Sequence, residues 1–184
     1  MTALASQGQL RASIVRWSLF TVPACVLFGF LSGRLAGSGP GNPWFDALEK
    51  PSIFPDPMWF GIVWTALYIL IGIALALVCA AWGARGRTGA IASFLVLAGM
   101  LLAWSPLFFA LHQMTLALIL LGAIVVATLV TTVLFWRVRS FAGMLMLPLL
   151  GWVCFATLLN YEFLRLNPAL DGAEPTQAVQ RFEI

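Results

Sequence analysis

The sequence predicts an all-α integral membrane protein, folded as a bundle of five transmembrane helices. Of its 184 residues, 61% are hydrophobic and 9% are charged, and the mean hydropathy is +0.97. A soluble domain would carry about 25% charged residues. The chain also contains five apolar runs of about the 20 residues that a helix needs to cross a hydrocarbon core of ~30 Å. The composition therefore excludes a soluble protein, and the length suits one compact helical unit.

The first predicted span covers residues 14–35, after an N-terminal tail at residues 1–13. Its apolar stretch is long and no A-x-A cleavage site follows it, so it is interpreted as a retained helix rather than a signal peptide. Pro23 lies inside this span, and prolines are tolerated in transmembrane helices.

Residues 36–57 are rich in glycine and proline, which predicts a loop. Trp44 and Phe45 give this loop an apolar surface that can cover the end of the bundle. We expect the loop to act as a mobile lid. Its flexibility would come from Gly37, Gly39 and Gly41.

The remaining four apolar runs complete the bundle. They predict spans at residues 58–82, 89–111, 114–136 and 141–166, followed by a polar C-terminal tail at residues 167–184. Short turns join them, so neighbouring helices are expected to run antiparallel.

The distribution of charges predicts the orientation in the membrane. With five spans, the N-terminus and two of the turns share one side. That side has no acidic residue and carries Arg11, Arg16, Arg85, Arg87, Arg137 and Arg139. The positive-inside rule places it in the cytoplasm, and the C-terminus outside, if the membrane is a bacterial inner membrane; the outer membrane is the alternative. Arginines spread in this way indicate topology and not nucleic-acid binding.

The last span carries polar side chains at a depth where they must face protein or a cavity. Trp152, Ala156 and Asn160 are four residues apart, so they share one stripe of that helix. Two further aromatic stripes with the same spacing occur on the second and third spans. Together they predict an apolar, aromatic cavity for flat hydrophobic ligands. Its predicted lining is Trp44, Trp59, Phe60, Trp64, Leu101, Trp104, Phe108, Trp152, Ala156 and Asn160.

Four sequence motifs accompany these stripes. They are Lys50-Pro51 with Pro55 and Pro57, VWTALY at 63–68, WSPLFF at 104–109, and PLLGW at 148–152 with Leu159-Asn160 after it. In this order, on five spans, they resemble the TspO/translocator protein (peripheral benzodiazepine receptor) family of tryptophan-rich sensory proteins, over residues 44–167.

The resemblance implies a five-helix bundle, usually a homodimer, that binds porphyrins, sterol-like and drug-like ligands beneath the loop after the first helix. By motif position, the family's ligand-contacting tryptophans fall on Trp59 and Trp152. Its pocket phenylalanine falls on Phe108, with Ala156 beside Trp152. The chain departs from the family where Leu101 replaces an asparagine and Leu149 replaces a tyrosine. These changes remove polar groups, so ligand selectivity is expected to differ.

The expected ligand is a porphyrin, protoporphyrin IX or haem, with no tightly bound cofactor and a sensory or regulatory role. Two alternatives remain open: light- and oxygen-dependent degradation of porphyrin, and transport of porphyrins or sterols. The sequence offers no catalytic residues and no metal-ligand set. It has a single histidine, His112, for which haem ligation is the less favoured interpretation.

Two weaker patterns complete the sequence predictions. Leu159, Tyr161 and Arg165 form a sterol-type motif. The favoured interpretation of Tyr161 and Arg165 is nevertheless that they are interfacial anchors, with Arg165 paired to Glu162. Small residues four apart on one helix allow two helices to approach closely in lipid. Gly99 and Ala103 are therefore the predicted dimer interface, with Gly72 and Ala76 as the alternative pair.

Overall fold

The structure is a computed structural model that describes residues 7–173, and it confirms the five-span helical bundle. Five helices in this part of the chain are long and apolar enough to cross a membrane. The elements in chain order are α1 (Gln7–Leu35), the short α2 (Pro43–Ala47), α3 (Pro57–Cys79), α4 (Arg87–Ser105) with a π-helical turn (Pro106–Ala110), α5 (Met114–Val138), α6 (Ser140–Leu166) and a 3₁₀ turn (Pro168–Leu170). Predictions for residues 1–6 and 174–184 lie outside the described residues.

Two boundaries of the spanning helices differ from the predicted ones by three residues or more. Helix α1 begins at Gln7, so residues 7–13 of the expected tail are helical. Helix α3 ends at Cys79 rather than at Trp82. The guanidinium of Arg87 explains this end, because its Nε and Nη2 donate to the Cys79 carbonyl at 3.2 and 2.9 Å. The same group lies 4.3 Å from the centre of the Trp82 ring, which fixes the turn.

Helices α1 and α3 approach closely at Gly72. A Cβ added to Gly72 would lie 2.7 Å from the Cα of Val22, and the Thr21 hydroxyl donates to the Gly72 carbonyl at 2.7 Å. Gly72 and Ala76 are both buried within the chain. The alternative dimer pair is therefore wrong, since these two residues are already covered.

Pro106 changes the geometry of the helix that contains it. Proline has no N–H, so the carbonyl of Leu102 loses its partner within the helix. The Ser32 hydroxyl of α1 donates to this carbonyl at 2.7 Å instead. The π-helical turn that follows turns Phe108 into the interior, where only 2% of its surface is exposed.

The loop at residues 36–57 is held in place over much of its length. Trp44 is fully buried; its ring stacks on His112 with centroids 4.6 Å apart, and its Nε1 donates to the Leu170 carbonyl at 3.1 Å. The Asn167 amide accepts from the Glu49 N–H at 2.8 Å and donates to the Glu49 carbonyl at 3.0 Å. The start of the expected polar tail is therefore a packed anchor for the loop.

A smaller part of the loop retains the character expected of a lid. Gly37, Gly39 and Gly41 all have positive φ, which favours glycine. Asn42 closes this segment, because its side chain donates to the Phe109 carbonyl at 3.1 Å and caps α2. A mobile lid thus stays a prediction, now restricted to residues 37–41.

The hydrogen bonds between Asn167 and Glu49 predict the effect of removing the Asn167 side chain. Asn167→Ala removes the partner of the Glu49 N–H and carbonyl, two partly buried hydrogen bonds worth about 0.5–1.5 kcal/mol each. We expect hydrogen–deuterium exchange in residues 44–50 to become faster, measured by mass spectrometry. Ser52→Ala, an exposed truncation in the same loop, is the matched control. Unchanged exchange in the Asn167 variant would show that the loop is held by other contacts.

Candidate ligand cavity

A cavity of about 750 Å³ opens beneath the loop, between the five long helices α1, α3, α4, α5 and α6. This volume lies within the range of small-molecule and cofactor sites, about 300–1,000 Å³. Its wall is mostly apolar and aromatic. Eight of the ten predicted lining residues contribute to it: Phe60, Trp64, Leu101, Trp104, Phe108, Trp152, Ala156 and Asn160.

The structure places Trp59 outside the cavity, contrary to the sequence prediction. Asp56 caps α3 and so sets where the helix begins. From that start, Phe60, Trp64 and Tyr68 lie on the face of α3 that lines the cavity. Trp59 precedes this stripe by one residue, and 51% of its surface is exposed. The tryptophan of α3 that meets Trp152 is Trp64, with ring centroids 6.4 Å apart.

Trp44 also lies outside the cavity wall. It serves to anchor the loop, while the next residue, Phe45, lines the cavity. The Phe45 ring packs against Phe109 and Phe163, with centroids 5.2 and 5.7 Å apart. Lys50 supports Phe45 from outside: its Nζ lies 4.6 Å from the ring centre and donates to the Phe45 carbonyl at 2.6 Å. Burial lowers the pKa of Lys50, and Asp46 partly opposes this effect.

Five of the aromatic side chains on the wall form two groups, and the rings within each group are in contact. In one, Trp104 stacks on Phe108 with centroids 5.2 Å apart and an interplanar angle of 21°. In the other, Trp152 meets Phe60 at 5.8 Å and Trp64 at 6.4 Å, edge to face in both pairs. Ala156 lines the same cavity one turn beyond Trp152 and fills little space. The arrangement offers flat aromatic surfaces and room for a planar ligand.

Two buried polar atoms on this wall have no hydrogen-bond partner among the described residues. They are the indole Nε1 of Trp104 and the side-chain oxygen of Asn160. The amide nitrogen of Asn160 is satisfied, since it donates to the Met114 carbonyl at 3.0 Å. A buried polar atom without a partner costs about 1–3 kcal/mol. Each atom exposes less than 1 Å² of surface, so a ligand could reach it only after a side-chain movement.

The sequence analysis left several cavity residues out of the predicted site. Tyr68 and Phe163 continue the stripes of α3 and α6, so helical spacing could have found them. Gly29 faces Tyr68 so closely that an added Cβ would clash with its ring. No sequence signal marks Gly29 or Arg34, both on α1, as cavity residues; only the contact between α1 and α3 brings them there.

The sterol-type motif is divided between two faces of α6. Leu159 is buried and lines the cavity, whereas Tyr161 is 50% exposed on the outer surface. Arg165 is also exposed and forms the expected ion pair with Glu162, at 2.7 Å. The three residues therefore do not form one site within the chain.

His112 lies away from the cavity wall. It stacks on Trp44, and its backbone carbonyl accepts from the Gly172 N–H at 2.8 Å. Its position at the α4–α5 turn, with φ 57°, makes it a packing element of the loop. Haem ligation by His112 inside the cavity is not supported by this placement.

Comparison with known proteins gives consistent matches over most of the chain. The model of the TspO/MBR family matches residues 21–166. "Protein CrtK" of Rhodobacter capsulatus is 34% identical over 126 residues, which cover 68% of this chain and 79% of the relative. "Tryptophan-rich protein TspO" of Archaeoglobus fulgidus is 37% identical over 149 residues, or 80% of this chain and 94% of the relative. Human "Translocator protein" is 35% identical over 136 residues, or 73% of this chain and 80% of the relative.

Proposed function

Since the chain belongs to the TspO/MBR family, we propose that it binds porphyrins and other flat hydrophobic ligands within the membrane and has a sensory or regulatory role. The observation that carries this proposal is the cavity of about 750 Å³ with Trp64, Trp104 and Trp152 on its wall. Planar ligands stack favourably on such rings, and the apolar wall excludes water. The Trp104 Nε1 and the Asn160 oxygen lack partners among the described residues, and they would help to orient a ligand once a side-chain movement exposes them.

A fluorescence titration tests the binding proposal. Eight tryptophans, three of them on the cavity wall, act as the reporter, and protoporphyrin IX and haem are the ligands. We expect saturable quenching with one ligand per chain for at least one of the two. A straight-chain fatty acid is the control for nonspecific partition into the detergent. Quenching that rises linearly without saturation for both porphyrins would contradict the proposal.

Light- and oxygen-dependent degradation of porphyrin is a second candidate function. The ring pair of Trp64 and Trp152 on the wall favours it, because oxidisable side chains would lie against a bound photosensitiser. Illumination in air is then expected to consume the porphyrin faster with the protein than with detergent alone. A binder without this activity would lose porphyrin in light no faster than detergent alone and would return it unchanged in darkness. Transport of porphyrins or sterols is tested separately, by flux into proteoliposomes.

The chain is an integral multi-pass membrane protein, and its charges support an orientation. The side that carries Arg85, Arg87, Arg137 and Arg139 would face the cytoplasm of a bacterial inner membrane. The cavity mouth would then open on the opposite side.

A homodimer through α4 is also part of the proposal. Gly99 and Ala103 are exposed on the same face of α4, and a Cβ added to Gly99 would meet no atom within 4 Å. Close approach at such small residues supports helix association in lipid. Replacing both with leucine should shift the detergent-solubilised protein towards monomer, measured by light scattering. Gly122→Leu on α5 is the control. A dimer of unchanged stability in the variant with leucine at positions 99 and 103 would refute this interface.

A further inference from the structure

Arg34 gives the cavity a single positive charge. Among the described residues that line the cavity, it is the only one with a side chain that is charged at neutral pH. It lies in the last turn of α1, exposed, beside Gly33 and near Ser38 at the mouth. The charge is therefore located where the apolar cavity meets the aqueous side.

No acidic residue neutralises Arg34 within residues 7–173. The ion pair formed in this part of the chain joins Arg165 to Glu162, and no hydrogen bond from the Arg34 side chain is made to a described residue. Asp46, one of three acids in the neighbouring loop, accepts from the Gly41 N–H at 2.9 Å. The guanidinium of Arg34 thus has unused donors at the edge of an otherwise uncharged cavity.

The second cation near the mouth is already occupied. Lys50 donates to the carbonyls of Phe45 and Leu48, at 2.6 and 2.8 Å. Arg34 also interacts favourably with the C-terminal dipole of α1, but this interaction leaves the planar face and edges of the guanidinium available. A guanidinium binds a carboxylate through two parallel hydrogen bonds.

We propose that the cavity selects flat ligands that carry an acid group, with the carboxylate bound by Arg34 at the mouth and the planar body held among the aromatic side chains. This inference rests on the proposed function and adds a chemical requirement to it. Protoporphyrin IX meets the requirement, because both of its propionate groups lie on one edge of the macrocycle. The remaining apolar edge would then point towards Trp152.

The experiment compares protoporphyrin IX with its dimethyl ester, in wild type and in three variants. Arg34→Gln removes the charge, and Arg34→Lys keeps the charge but loses the planar fork. Arg165→Gln is the matched control, because Arg165 is an exposed arginine at the end of α6 and does not line the cavity. The measured quantity is the ratio of ester to acid dissociation constants, compared between proteins so that partition into detergent cancels.

We expect this ratio to fall by about three- to tenfold in Arg34→Gln, as for a partly exposed charged contact. It should fall less in Arg34→Lys and remain unchanged in Arg165→Gln. High salt should lower the ratio in wild type and leave Arg34→Gln unaffected. Ester binding of equal strength in wild type and Arg34→Gln shows that the cavity is intact.

Two results have different meanings and can be told apart. If both ligands bind and their ratio is the same in wild type and Arg34→Gln, the inference about Arg34 is overturned while the binding function stands. If neither ligand binds saturably to wild type, the proposed function fails for protoporphyrin, and the inference fails with it.

Discussion

Replacing Trp152 with alanine is expected to weaken porphyrin binding by about 30- to 150-fold, as for the loss of a buried aromatic contact worth about 2–3 kcal/mol. The Trp152 ring touches Phe60, Trp64 and Phe155, at centroid distances of 5.8, 6.4 and 5.3 Å. It therefore supplies flat surface and also holds the neighbouring rings in place. The dissociation constant for protoporphyrin IX, measured from tryptophan quenching, gives the effect.

The matched control for this prediction is Trp59→Ala. Trp59 loses the same side-chain atoms but is 51% exposed and lies outside the cavity. Its dissociation constant should change less than about twofold, as expected for a residue without ligand contact. Equal losses in the two variants would restore the sequence prediction that both tryptophans contact the ligand, and a loss in Trp59→Ala alone would mean that porphyrin binds outside this cavity.

Adding one methyl group at Gly72 is expected to destabilise the bundle by about 1–3 kcal/mol. The new Cβ would lie 2.7 Å from the Val22 Cα and 3.1 Å from its nitrogen. Backbone atoms cannot move aside as a flexible side chain can, so α1 must shift away from α3. The shift would also strain the hydrogen bond from Thr21 to the Gly72 carbonyl. Unfolding by a graded denaturing detergent, followed by circular dichroism, measures the change.

Gly122→Ala provides a control with the opposite sign. Gly122 lies within α5, and an added Cβ there would meet no atom within 4 Å. Alanine is favoured over glycine in a helix by about 1 kcal/mol, so this variant should be as stable as wild type or more so. If Gly72→Ala were equally stable, α1 and α3 would have to be further apart than described here.

Much of the fold could be predicted because hydrophobic length and helical spacing are strong signals. The stripes of α4 and α6 give Trp104, Phe108, Trp152 and Asn160 directly, and all four line the cavity. Trp59 and Trp44 could not be assigned in this way. Whether Trp59 or Phe60 faces the cavity depends on how α3 is rotated about its axis. That rotation depends on the Asp56 cap and on packing against α1 and α6.

The loop and the end of the chain were harder to predict for a different reason. The contacts that define them join residues far apart in sequence, such as Trp44 with Leu170 and Glu49 with Asn167. Composition indicated only a glycine- and proline-rich loop and a polar tail. Arg34 is a similar case, since a single arginine at a helix end resembles a topology signal until the cavity beside it is known.

The most direct test of the central claim is to map photo-oxidation in the wild-type protein loaded with protoporphyrin IX. Illumination in air makes the bound porphyrin produce a reactive oxidant at its own site, and mass spectrometry identifies the tryptophans that are modified. The account predicts faster modification of the cavity residues Trp64, Trp104 and Trp152 than of Trp59 and Trp82, although the latter are 51% and 70% exposed. A soluble photosensitiser that stays in water should give the reverse order. Modification that follows surface exposure in the porphyrin-loaded protein as well would contradict binding in this cavity.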